Sequence, residues 1–208
     1  MGTKEKKDKI KEGIEKYLKI KDLYPKTNFN VNSDFAKAFG AFYLVRRNEA
    51  WRKMFFDLFK EMREEPDKAD FETILKELNS RLTKLKGSVR STVEASFASK
   101  MLHTIDNDSP IWDRKVIDFL VKKGDIERPK PYGVNPTDLM KDRIEKFQKL
   151  KEWYKNKSNI QPLVDFFNQN YKTDRSDEIS DVKKADFIIW GLDLDKVLEI
   201  ISTTPASV

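Results

Sequence analysis

Two ionisable residues stand where helices usually carry core. Lys100 lies in a run of small and apolar residues, Ala95-Ser96-Phe97-Ala98-Ser99-Lys100-Met101-Leu102. Asp113 opens the segment that follows the polar loop Asp106-Asn107-Asp108-Ser109-Pro110. A carboxylate at a helix start is favoured by the helix dipole. Facing a site, it can stabilise developing positive charge or take a proton from water. Its simpler role is to cap its own helix, since Asp is a preferred residue there, and the two roles are compatible. Lys100 has two readings as well: an amine nucleophile, or a lysine that pairs or snorkels. The small-residue face around it suits close helix packing, or a wall against which a ligand lies.

A second constellation is Phe42-Tyr43-Leu44-Val45-Arg46-Arg47-Asn48-Glu49-Ala50-Trp51-Arg52. Aromatics interleaved with arginines can stack a base and hold phosphates. The alternative is a helix junction with its aromatics in the core and its arginines in water. Trp51 reads as core, and Tyr43, Arg46 and Arg47 stay open as ligand-contacting residues. The run Lys183-Lys184-Ala185-Asp186-Phe187-Ile188-Ile189-Trp190 is similar, and within its apolar part Asp186 is expected to be a buried partner of Arg46 or Lys100. His103 is the sole histidine and reads as a core or surface residue.

Several chemistries are excluded or disfavoured. The chain has no cysteine, so disulfides, Cys-ligated zinc and iron–sulfur clusters are out. No metal is expected, because Asp106, Asp108 and Asp113 lack the glycine and terminal glutamate of a calcium loop. No glycine-rich phosphate motif occurs, so no nucleotide and no other cofactor is expected. There is no run of 18 apolar residues to span a membrane, and the charged N-terminus does not read as a secretory signal. A cytoplasmic protein, most simply a monomer, is the expectation. The 41 Lys and Arg exceed the 35 Asp and Glu, giving a net charge of +6. That balance favours an anionic partner such as nucleic acid, or simply solubilises the surface.

Apolar spacing near 3.6 residues recurs along the chain, and no alternating strand pattern appears. The fold class is therefore all-α: one multi-helix domain over residues 1–208, or two helical lobes with a cleft between them. Residues 1–30 read as a peripheral N-terminal helix, 33–124 as a helical lobe, and 135–202 as C-terminal helices. Expected caps are Asn32 or Ser33, Asn135, Ser158 and Ser180, and Gly124 is an expected stop. The 208 residues include 14 Phe, 6 Tyr and 4 Trp, enough large side chains to fill a core despite a charged fraction of 37%.

Leu85-Lys86-Gly87-Ser88-Val89-Arg90-Ser91-Thr92 resembles the hairpin of the helix-hairpin-helix base-excision DNA glycosylases. That pattern runs Leu-Pro-Gly-Val-Gly-Arg-(Ser/Lys)-Thr-Ala. Pro110-Ile111-Trp112-Asp113-Arg114-Lys115-Val116 is similar to the family's Pro-Ile-x-Asp-x-x-Val segment. Here Val89 replaces the second glycine, Ser91 stands near the family's lyase lysine, and the hairpin-to-aspartate spacing is about four residues longer than in the endonuclease III-like members. The resemblance implies an enzyme that flips a damaged or modified base out of double-stranded DNA and hydrolyses its N-glycosidic bond. It implies a monofunctional reaction assisted by Asp113, with Lys100 as a displaced second catalytic group. Gly87, Arg90, Ser91, Thr92, Arg114 and Lys115 would contact DNA. Tyr43, Arg46 and Trp112 would line the base pocket. DNA repair and anti-phage defence are both compatible settings. The alternatives are a non-enzymatic helical DNA-binding protein and a helical protein-interaction module.

Overall fold

The structure, a computed structural model, describes residues 3–86, 93–133 and 135–203. Ten α-helices occur among the described residues, with no strand. They are α1 (Thr3–Leu23), α2 (Asp34–Phe42), α3 (Glu49–Glu64), α4 (Phe71–Lys86), α5 (Ala95–Ile105), α6 (Arg114–Lys123), α7 (Pro136–Lys155), α8 (Lys157–Tyr171), α9 (Asp181–Gly191) and α10 (Leu194–Thr203). The all-α expectation holds. None of the described helices is long and apolar enough to cross a membrane.

Short polar side chains set where the helices begin. Ser33 Oγ accepts from the Ala36 amide at 3.1 Å, and Asn48 Oδ1 from Trp51 at 3.0 Å. Asp70 Oδ1 caps α4 through Thr73 at 2.9 Å. Asn135 caps α7, with Pro136 in the first turn, where its missing N–H costs nothing. Helix α8 corrects one expectation. Its cap is Asn156, which accepts from both the amide and the hydroxyl of Ser158. A residue that starts one turn can thus be read two positions late. Gly124 ends α6 in the left-handed region, at φ 86°, as its lack of a Cβ permits.

One continuous apolar cluster joins the helices, from Ile10 in α1 to Ile200 in α10. At one end Phe29, Phe35, Phe39, Phe55, Phe56 and Phe59 pack mostly as tilted and edge-on rings, with centroids such as Phe29–Phe59 at 5.0 Å, while Phe56 and Phe59 lie parallel. Helix α1 is not peripheral. Ile10, Ile14, Tyr17 and Ile20 are buried, and the helix packs on α2, α8 and α9. Its surplus of Lys and Glu disguises a narrow apolar stripe that is fully used.

Helix α9 is the axis of the assembly. It touches α1, α6, α8 and α10, and every residue from Val182 to Ile189 is buried. A helix surrounded on all sides is normally apolar all round. This one buries Lys183, Lys184 and Asp186.

Candidate active site

The cleft is built on the loop between α5 and α6. His103, fully buried, hydrogen-bonds through Nδ1 to the Ser109 carbonyl at 2.7 Å. The Tyr17 hydroxyl of α1 lies 3.2 Å from both His103 Nε2 and Asn107 Oδ1. Ser180 Oγ, at the start of α9, donates to the Asn107 carbonyl at 2.7 Å. Within the loop, Ser109 Oγ donates to Asp106 Oδ2, also at 2.7 Å. Three helices are thereby tied to one loop. Burial, with help from the nearby Lys183 charge, pushes the His103 pKa down to about 3, so the ring is a neutral structural group. Both its ring nitrogens are engaged within the fold, and no cluster of three or more His, Asp or Glu suited to a metal occurs among the described residues.

The last residues of the loop aim Asp113. Ser99 of α5, fully buried, accepts from the Trp112 amide at 2.9 Å. Asp113 follows in extended geometry, φ −116° and ψ 149°, so its side chain and that of Trp112 leave the backbone on opposite sides. Trp112 turns to the Arg143 guanidinium of α7, 5.5 Å from its ring. Asp113 turns to the cleft, where it caps α6 by accepting from the Lys115 amide at 2.8 Å.

This cleft has a volume of about 540 Å³, counting the part open to solvent. Its charged and hydroxyl-bearing walls are Tyr43, Lys100, Asp113, Lys183 and Asp186; Phe42, Leu44, Ile111, Phe187 and Trp190 complete it. Residues from α5, the α6 cap, α9 and the end of α2 therefore meet in one place. Lys100 Nζ donates to Ser96 Oγ at 3.0 Å and lies 5.5 Å from the Tyr43 ring and 5.3 Å from the Phe97 ring. Burial lowers its pKa; Asp113 pulls it back up, and Lys183 adds to the lowering. Lys183 Nζ donates to Asp186 Oδ2 at 2.6 Å and sits over the Phe187 ring at 4.8 Å. Burial raises the Asp186 pKa, against the pull of Lys183. Its Oδ1 is buried without a hydrogen-bond partner. So is the Tyr43 hydroxyl, which lies near Thr104 but makes no hydrogen bond of ordinary geometry. At the lip, Leu44 adopts the left-handed conformation, φ 54°, unusual for leucine, and is 63% exposed.

The sequence-derived candidates divide accordingly. Asp113, Lys100 and Tyr43 converge. Trp112 and Arg46 do not line the cleft. Arg46 follows the chain reversal at Leu44 and is exposed, while Arg47 pairs with Glu94 at 3.0 Å. Trp51 is core, stacked on Phe55 at 5.0 Å. Arg114 and Lys115 are exposed on the first turn after Asp113; Arg114 contacts Asp118 at 3.5 Å, and Lys115 donates to the Trp190 carbonyl. Gly87, Arg90, Ser91 and Thr92 lie outside the described residues. Asp186 is buried as expected, but its ion-pair partner is Lys183 rather than Arg46 or Lys100. Lys183 stood in a run singled out by sequence but was given no role of its own there. Its signal was a spacing of three from Asp186 on a helix with no polar face.

A larger groove beside α4, α5 and α7 carries five carboxylates against two lysines, an unfavourable surface for an anionic partner. No family model, curated protein or solved structure matches this chain, so the functional reading rests on the cleft.

Proposed function

We propose that the protein is a DNA glycosylase-like hydrolase that removes a damaged or modified base, with Asp113 as its central carboxylate. The single observation that carries this reading is the placement of Asp113 with Lys100 and Tyr43 in one aromatic-walled cleft. Capping alone would be served equally well on a convex surface. A base swung out of the duplex would lie among Phe42, Phe187 and Trp190. The C1′–N bond breaks with its electron pair passing to the base. Asp113 stabilises the cationic sugar and accepts a proton as water adds to C1′. Lys100, its ammonium disfavoured by burial, gives a proton to the leaving base. Arg114 and Lys115 lie beside Asp113, where the backbone phosphates would run.

The burial of Lys100 beside Asp113, which lowers its pKa, also allows a second reading of that residue, as an amine that attacks C1′. The two differ in product, because hydrolysis leaves an abasic site that breaks only in alkali, whereas amine attack leads to nicking without it. The test is a panel of duplexes with single modified bases, read before and after alkali. Wild type should give alkali-labile sites on at least one duplex, and Asp113→Asn should lower the rate by about 100-fold or more. Salt-sensitive DNA binding with no base removed across the panel would replace this reading with a non-enzymatic DNA-binding protein.

A further inference from the structure

The cleft contains a matched pair of unused hydrogen-bonding groups. Asp186 is 6% exposed, lines the cleft, and spends Oδ2 on Lys183, leaving Oδ1 as an acceptor without a partner. Tyr43 is 9% exposed, lines the same cleft, and leaves a phenolic O–H unused. Orphaned buried polar atoms are rare because each costs free energy. Two of them in one cleft, one acceptor and one donor, describe the ligand that would satisfy both. The surrounding rings of Phe42, Phe187 and Trp190 require that ligand to be flat.

We propose that Tyr43 and Asp186 form a recognition pair for the lactam edge of an oxo-base, a ring N–H beside a C=O, as in guanine-, hypoxanthine- or uracil-type bases. This rests on the reading of the cleft as a base pocket and names the class of base. The ring N–H donates to Asp186 Oδ1, and the carbonyl accepts from Tyr43. Adenine and cytosine also offer a donor beside an acceptor. Their exocyclic amine is a much less acidic donor to a carboxylate than a lactam N–H. Their ring nitrogen is also a poorer neighbour than a carbonyl for two lysines, because proton binding makes such rings cationic. Lys183, between Asp186 and the aromatic rings, and Lys100, over Tyr43, supply that bias.

The test is ligand-observed NMR of the full chain with uracil, hypoxanthine, cytosine and adenine as their 1-methyl (pyrimidine) or 9-methyl (purine) derivatives, so that no excision is needed and the nitrogen that carries the sugar in DNA offers no N–H of its own. Uracil and hypoxanthine should bind more tightly than cytosine and adenine by about tenfold, the scale of a good hydrogen-bonded base contact. Tyr43→Phe removes only the orphaned hydroxyl and keeps the ring. It should lose most of that preference while melting at the same temperature or higher, whereas a structural role for the hydroxyl would lower the melting temperature and leave the preference. A second variant, Lys183→Met with Asp186→Leu, replaces the ion pair by apolar side chains without stranding a charge and should abolish the preference. Equal binding of the four bases, preference for cytosine or adenine, or no saturable binding at all overturns the proposal. A chain that excises nothing but keeps the lactam preference retains this inference and loses the glycosylase reading. One that excises bases without the preference does the reverse.

Discussion

Asp113 caps α6, and the proposed reaction gives it a second role that ordinary substitutions confuse with the first. Asparagine caps helices about as well as aspartate, whereas alanine does not. Asp113→Ala should therefore cost about 1 kcal/mol in a urea melt, and Asp113→Asn less than about 0.5, while both lose excision. Equal activity of Asn and wild type would reduce Asp113 to a cap. Lys100 tests the opposite balance. Its burial destabilises its charge, so Lys100→Met should leave stability unchanged or raise it by about 1 kcal/mol. Activity should fall in the same protein, and a large loss of stability would make the lysine structural. His103 makes a pH prediction. Its folded pKa, about 3, lies below the usual 6.5, so its contribution is complete above pH 6.5 and drains away as the pH falls toward 3. Urea melts should show a His103-dependent loss on the order of 3 kcal/mol between pH 7 and 4, with a flatter profile in His103→Gln. Equal profiles would contradict the burial argument. Asp113, Lys100 and Tyr43 were legible in the sequence because each breaks a local pattern: charge among small residues, acid at a helix start, an aromatic beside arginines. Lys183 was not, because a lysine beside Lys184 looks like a solvated face until the helix is known to have none.

At the level of elements, α9 decides the shape of the site. Its apolar residues show no clear stripe, which in sequence resembles a short core helix with stray charges. Only packing reveals that Lys183, Lys184 and Asp186 are buried and that Lys183 and Asp186 line the cleft. Where α9 ends, a Cβ on Gly191 would lie 2.3 Å from Ile10 Cγ1, a side chain that is itself fully buried. Gly191→Ala should cost about 1–3 kcal/mol in thermal unfolding, as overpacking does. An unchanged melting temperature would mean that α1 is loosely seated. Helix α1 was underestimated because Lys and Glu outnumber its apolar residues, yet burial depends on their spacing rather than their number. Helix starts at Ser33, Asn135 and Ser180 were legible because short polar caps precede apolar runs. The α8 start was not, because Asn156 and Ser158 are both good caps and local chemistry does not rank them.

For the whole molecule, the all-helical class followed from periodicity, while the convergence of α2, α5, α6 and α9 is a long-range event that periodicity does not encode. The excess of positive charge is modest, and many charges are spent on each other, as in Arg175 with Asp22 and Glu178. DNA affinity should thus depend on few phosphate contacts. Arg114→Ala should reduce the slope of log affinity against log salt by about one, similarly for every sequence. An unchanged slope would remove Arg114 from the interface. The central claim is that the cleft breaks an N-glycosidic bond, and direct detection of the freed base by mass spectrometry tests it most closely. Duplexes carrying modified oxo-bases should yield free base and abasic site in equal amounts with wild type, and neither product above background with Asp113→Asn. Bound DNA with no free base released, or equal release by wild type and Asp113→Asn, would contradict the account.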